Sequence, residues 1–271
     1  MIAHALPDLR KMTIDGRTVS WREAGKGEPL VLVHGIGGHS GSWRHQFAAF
    51  ADDHRVIAWD APGYGGSDRL PVERLTAEDY AASLAALLRE LNVRRSHLVG
   101  HSLGSIMIAT ACHRDQIDGR TMTFLQPVTG SGTLSDSERE PIRLARIADM
   151  ERLGPEEFAV QRGRTILSQS TSATAAEEAI EVMKAVPKAG YLDAWEMMCH
   201  SDIFSVLDSK RPTMIVCGED DPVCPPKTAR LIADRIPGAT YHCLAGVGHY
   251  ASIEAPVRLE RVLRNFIGHC G

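Results

Sequence analysis

The chain has no apolar run approaching the roughly 20 residues needed to cross a bilayer as a helix, and residues 1–10 lack the long apolar centre of a secretory signal. The expectation is a cytoplasmic protein with no membrane partner. It has no excess of either charge: 30 Lys and Arg stand against 34 Asp and Glu, for a net charge of -4. Without a basic stripe, nucleic acid is not an expected partner. Cysteine is sparse, with six residues at 112, 199, 217, 224, 243 and 270. None forms a Cys-x-x-Cys pair or joins histidines at zinc-ligand spacing, so buried thiols in a reducing compartment are expected, and no metal. Internal repeats and low-complexity segments are absent too. What remains is a small molecule as partner, with a homodimer left open.

What is present is a large apolar fraction, 44% of 271 residues, arranged as alternating short β-prone and longer helical segments. Residues 12–24 read as two strands about an Asp15-Gly16 turn, a hairpin at the edge of a larger sheet. Leu30-Val31-Leu32-Val33 is an unalternated run of the kind buried on both faces of a parallel sheet. A short helix at Trp43 to Phe50 and a strand at Arg55 to Trp59 follow, then a glycine-rich loop from Asp60 to Asp68. Thr76 and Asp79 form a capping box ahead of Tyr80, Leu84, Leu87, Leu88 and Leu91 at helical spacing.

The alternation predicts parallel strands joined by crossover helices, through a strand at Thr121 to Leu125. Between Gln126 and about Lys210 it stops. Helical segments at Ile142 to Leu153, Pro155 to Leu167 and Ala175 to Val186 replace it, and predict an inserted helical cap over 127–210. Strands at Thr213 to Cys217 and Thr240 to Leu244, a helix at Thr228 to Ile236 and a final helix after Glu254-Ala255-Pro256 complete the chain.

The chemistry centres on Ser96 to Ala109, where a strand meets a helix across Gly100-His101-Ser102-Leu103-Gly104. Gly-x-Ser-x-Gly in that context is a sharp turn that holds a serine hydroxyl out at the carboxyl end of a strand, where open α/β sheets bind ligands. A Cβ at 100 or 104 would clash with the crowded backbone. A serine becomes a nucleophile only when a base takes its proton and an acid holds that base. The acid is available after the 213–217 strand, in Gly218-Glu219-Asp220-Asp221-Pro222, and the base after the last strand, in Gly246-Val247-Gly248-His249-Tyr250.

Acyl transfer also needs donors for the oxyanion. The expected pair is the backbone N-H of Leu103 and that of Ile36, in the His34-Gly35-Ile36-Gly37-Gly38 loop. That loop lacks the spacing and the Lys-Ser/Thr of a phosphate cradle. His34 reads as a structural hydrogen-bonder.

Together the His-Gly loop, the 60–67 loop, the nucleophile turn, the acid and the histidine resemble the α/β-hydrolase superfamily over nearly the whole chain. The resemblance implies a mostly parallel eight-stranded sheet flanked by helices, with a core of residues 1–126 and 211–271 and a cap of 127–210. It also implies the order Ser102, Asp221, His249. The family pattern Gly-x-x-Asp-x-x-x-Pro falls on Gly218, Asp221 and Pro225, which selects Asp221 over Asp220. Met183 to Ile203 resembles the cap end of 3-oxoadipate enol-lactonase-like esterases.

The expected activity is a cofactor-independent serine hydrolase acting on a small carboxylic ester or lactone. The alternative on the same mechanism is a C-C bond hydrolase of an aromatic ring-cleavage product, against which Tyr250 stands where many such enzymes have Trp. Ser105, where those esterases often carry Gly, is a second departure. Of other classes, a ligand-binding receptor keeps the fold. A cofactor-free dioxygenase places its acid after the strand ending near Leu125, where this chain has Gln126. Trp195, Met198 and Tyr250 are the candidates for substrate contact, although Trp195, Met197 and Met198 at helical spacing also suit a core. Arg143, Arg146, Arg162 and Arg164 read as a solvated helix face.

Overall fold

A computed structural model describes residues 6–269. Strands β1 (Leu9–Ile14) and β2 (Arg17–Ala24) form the antiparallel hairpin expected at Asp15-Gly16, and both turn residues have positive φ, as a two-residue turn of that twist requires. Strand β3 (Glu28–Val33) leads through a 3-10 turn (Ser40–Trp43) into helix α1 (Arg44–Phe50) and strand β4 (His54–Trp59). Helix α2 (Ala77–Glu90) starts at the Thr76/Asp79 capping box, with both reciprocal hydrogen bonds made. Strand β5 (Arg95–His101), helix α3 (Leu103–His113) and strand β6 (Asp118–Leu125) follow, β6 starting three residues before the expected Thr121.

Between β6 and the next strand the chain makes α4 (Asp136–Ile166), α5 (Ala173–Lys184) and α6 (Lys188–His200). Helix α4 is interrupted at Gly154, whose φ of 72° and ψ of 167° are not helical, and Pro155 restarts it, so the two expected segments are two arms joined by a kink. Its first arm starts six residues before the expected Ile142. Strand β7 (Thr213–Gly218), helix α7 (Pro226–Asp234), strand β8 (Thr240–Leu244), the short α8 (Ala251–Glu254) and α9 (Pro256–His269) close the fold.

The eight strands form one sheet in the order β1-β2-β4-β3-β5-β6-β7-β8. β1 and β2 are antiparallel to their neighbours, and every pairing from β4 to β8 is parallel. The central strands are apolar on both faces because both faces are covered. Ile57, Leu98, Phe124 and Ile215 belong to a core shared with α2 and α3, and Leu30, Val99, Leu125 and Val216 to one shared with α1 and α9.

Of the cysteines, 112, 199, 217 and 224 are buried as expected. Cys243 is exposed, because β8 is the edge strand of the sheet and is largely uncovered, so the expectation of a buried thiol fails there. Cys270 lies outside the described residues, as do the first five residues of the segment read for a secretory signal. No helix among the described residues is long and apolar enough to cross a membrane.

Because Leu98 sits wholly buried in the middle of the sheet, Leu98→Ala should lower the unfolding free energy by about 3 kcal/mol in a denaturant titration. Val257→Ala, on a side chain 71% exposed, should change it by less than about 0.5 kcal/mol.

Candidate active site

Ser102 occupies the turn between β5 and α3 with φ 52° and ψ -116°, a conformation that costs an L-residue about 1–3 kcal/mol and persists only when its surroundings enforce it. The surroundings are visible. A Cβ on Gly100 would lie 2.5 Å from the Gly104 carbonyl oxygen, and one on Gly104 would lie 2.4 Å from that of Val33. The turn is also tied down, since the Ser102 N-H donates to Leu125 O at 2.8 Å and Ser105 Oγ donates to Gly100 O at 2.7 Å. Ser105 therefore braces the turn in place of the expected glycine.

Three side chains from three strand ends meet here. Ser102 Oγ lies 3.0 Å from His249 Nε2, and His249 Nδ1 lies 2.8 Å from Asp221 Oδ2. The other Asp221 oxygen accepts the N-H groups of Val223 at 2.8 Å and Cys224 at 2.9 Å. Burial opposes charge on Asp221, yet His249 and these two donors outweigh it and hold the carboxyl below its ordinary value. An ionised carboxylate can only accept, so Nδ1 carries the proton and Nε2 is free to accept from Ser102. Asp220, the competing acid, is exposed and accepts a hydrogen bond from Ser168 Oγ instead.

The histidine loop is clamped on both sides of His249. His249 N-H donates to Ile166 O at 2.8 Å, at the end of α4. Burial pushes His101 down to about 3, so its ring is neutral, and Nε2 lies 2.7 Å from His249 O. The buried Gln126 amide donates to Gly248 O and accepts from Ala251 N at 2.9 Å. Glu254 accepts from Gly248 N at 3.0 Å and Tyr250 N at 2.8 Å, and also from Ser168 N and Thr171 Oγ1 beyond α4. Sequence reasoning missed this role for Gln126, His101 and Glu254. Their contacts reach across 122 or more residues for Gln126 and His101, and nothing local signals them.

His34 is held as expected, with Nδ1 2.8 Å from Gly35 O and Nε2 accepting Ala61 N-H at 3.1 Å, and burial lowers it to about 4. The loop that follows presses on the serine, since a Cβ on Gly35 would lie 2.9 Å from Ser102 Cβ. Neither Ile36 N-H nor Leu103 N-H donates to a backbone acceptor among the described residues.

A cavity of about 210 Å³ opens over Ser102 and His249. It is smaller than the roughly 300–1,000 Å³ of sites for drug-sized ligands, which limits the occupant to a small molecule. Ile36, Val128, Met183, Trp195, Met198 and Tyr250 contribute to its wall, so all three candidates for substrate contact reach it, whereas Met197 is buried elsewhere. Two of the four arginines read as a solvated face correct that reading. Arg146 and Arg162 line the cavity, one from each arm of α4, because the break at Gly154 turns both arms toward it. Arg143 pairs with Glu140 and Glu196, and Arg164 is exposed.

A family model for the alpha/beta hydrolase fold matches residues 28–256. The chain belongs to the α/β-hydrolase fold family. It is 40% identical over 100 residues to the dihydrolipoyllysine-residue acetyltransferase component of the acetoin cleaving system of Pseudomonas putida, a match covering 36% of this chain and 27% of that one. It is 23% identical to (E)-2-((N-methylformamido)methylene)succinate hydrolase of Acinetobacter baylyi, across 93% of this chain and 95% of that protein. Among solved structures, a thermophilic esterase from Thermogutta terrifontis superposes with a TM-score of 0.84 at 22% identity, over 97% of this chain and 99% of that one. The enol-lactonase from Burkholderia xenovorans superposes with a TM-score of 0.80 at 20% identity, over 96% and 100%. This α/β-hydrolase thus resembles enol-lactonase-like esterases, as its motifs imply.

Since the Asp221 carboxyl is held below its ordinary value in the folded chain, its hydrogen-bonded carboxylate stabilises the fold above about pH 4, and that stabilisation is lost as pH falls through the folded value. Acid titrations of unfolding should show the natural chain losing stability below about pH 4 more steeply than Asp221→Asn, which has no carboxyl to protonate. Parallel curves for the two would show that these hydrogen bonds are not formed in solution.

Proposed function

We propose that this α/β-hydrolase is a cofactor-independent serine hydrolase that cleaves a small carboxylic ester or lactone. The observation that carries the reading is the continuous chain from Ser102 Oγ to His249 at 3.0 Å and on to Asp221 at 2.8 Å, at the floor of a closed-in apolar cavity. Ser102 Oγ attacks the carbonyl carbon while His249 Nε2 takes its proton. The negative oxygen is received by the N-H groups of Ile36 and Leu103, the second at the start of α3, where backbone donors are unpaired by the geometry of a helix. The tetrahedral adduct collapses, His249 returns the proton to the departing alkoxide, and an acyl group stays on Ser102. Water, deprotonated by His249, then releases the acid.

In this reading residues 127–210 act as the cap. Trp195, Met198 and Tyr250 bound the substrate and keep bulk water from the oxyanion, which strengthens the two donors by lowering the local dielectric. Two similarities agree with ester or lactone cleavage, since a structural neighbour is an enol-lactonase and another is an esterase.

A panel of p-nitrophenyl esters, enol-lactones and ring-cleavage products tests the reading, with turnover of the last group alone pointing to C-C cleavage. For whichever ester is turned over, Ser102→Ala should lower kcat by about 10⁶ in a folded protein. Asp221→Asn should lower it by about 10⁴ by favouring the wrong histidine tautomer, while Asp220→Asn should change it little. Near-normal turnover by Ser102→Ala would overturn the serine mechanism.

A further inference from the structure

The cavity over Ser102 holds two cations that the proposed reaction does not use. Arg146 comes from the first arm of α4 and Arg162 from the second, and both line the same small, otherwise largely apolar space. Among the described residues no carboxylate forms an ion pair with either. Other arginines of this helix differ: Arg139, Arg143 and Arg152 each pair with an acid one turn earlier. Arg146 is held in place without an acid, since its Nη1 donates to Tyr191 Oη at 3.1 Å and its guanidinium stacks 4.9 Å from the Trp195 ring and 5.7 Å from that of Phe158. Burial, and then the charge of Arg146, push Arg162 below the ordinary arginine range. The buried rings His34 and His101, lowered to about 4 and about 3, are neutral, so they do not add to this field.

Two like charges sharing a partly dry cavity repel each other and pay for lost hydration, a cost that an anion entering between them removes. A guanidinium presents a planar fork that matches a carboxylate with two parallel hydrogen bonds. The cavity has the volume for a small molecule and its two charged side chains are of one sign. We propose that the substrate of this site carries a carboxylate group in addition to the bond that is cleaved, and that Arg146 and Arg162 bind it. This deepens the ester or lactone reading and rests on it for the identity of the cleaved bond. The arginines are specificity determinants; the bond-breaking groups remain Ser102 and His249.

The experiment compares two esters that differ in one terminal group, p-nitrophenyl hydrogen glutarate and p-nitrophenyl pentanoate. The natural chain should show a kcat/KM at least about 10-fold higher for the glutarate ester, and Arg162→Gln should abolish most of that preference, cutting it by about 10-fold. Arg162→Lys should keep part of the preference, and Arg164→Gln, on the exposed face of the same helix, should keep all of it. No preference in the natural chain, or a preference that survives Arg162→Gln, overturns the proposal.

A binding arm separates this from failure of the hydrolase reading. Calorimetry on Ser102→Ala should find monomethyl glutarate bound more tightly than dimethyl glutarate, by at least about 10-fold. Equal binding, or no binding of the anion, overturns the proposal. Charge-selective binding without turnover of any ester by the natural chain supports it and rejects the serine reaction, whereas turnover without charge selectivity does the reverse.

Discussion

The strained turn at Ser102 is the constraint on which the rest of the site depends. Its φ of 52° is held because Gly100 and Gly104 let β5, α3 and the carbonyl of Val33 approach more closely than any side chain would permit. That contact ties the ends of β3 and β5 to the buried helix behind them, and the Leu125 carbonyl fixes the serine nitrogen from the other side. Strain of this kind is stable only in a well-packed frame, and α3 is buried along its length from Leu103 to Cys112. The cost of the turn is thus offset by the core, and the hydroxyl it presents cannot relax into the interior.

The histidine is positioned in the opposite way. Its loop has no regular structure of its own, and the backbone atoms of Gly248, His249 and Tyr250 are instead tied by groups from elsewhere, among them Ile166, His101, Gln126 and Glu254. Glu254 joins two regions, because the carboxylate that accepts from Gly248 and Tyr250 also accepts from Ser168 and Thr171, just past the end of α4. The helices inserted between β6 and β7 are therefore bonded to the loop that carries His249. Tyr250 extends the same link by packing with Ile166 and Met183 in a small apolar cluster of its own.

Charge in the cavity follows from this packing. Burial keeps His34 and His101 neutral, and the negative charge sits on Asp221, which takes part in three hydrogen bonds, with His249 and two backbone donors. The two guanidiniums of α4 face the same space without an acid between them. An apolar wall with Ser102 and His249 at one side and an unpaired cationic edge at the other is polarised, which is a basis for orienting a small ligand.

The order of strands and helices, the antiparallel hairpin at Asp15-Gly16, the Thr76 cap and the placing of Asp221 rather than Asp220 beside His249 were legible in the sequence. Each depends on residues close together in the chain or on a spacing that a turn demands: glycines where a Cβ has no room, proline at a helix start, unalternated β-branched runs where both sheet faces are covered. The exposure of Cys243, the clamps at Gln126 and Glu254, and the inward course of Arg146 and Arg162 were not. A strand's place at the edge of a sheet is a property of the assembled sheet, so the sequence of β8 does not reveal that Cys243 faces solvent. Along α4, arginines at helical spacing look like a wetted face until Gly154 breaks the axis, and only the folded arms decide which of them meet. Local chemistry determined the elements and the turns that carry Ser102, Asp221 and His249, whereas the contacts across more than a hundred residues decided how His249 is held and what charge the cavity presents.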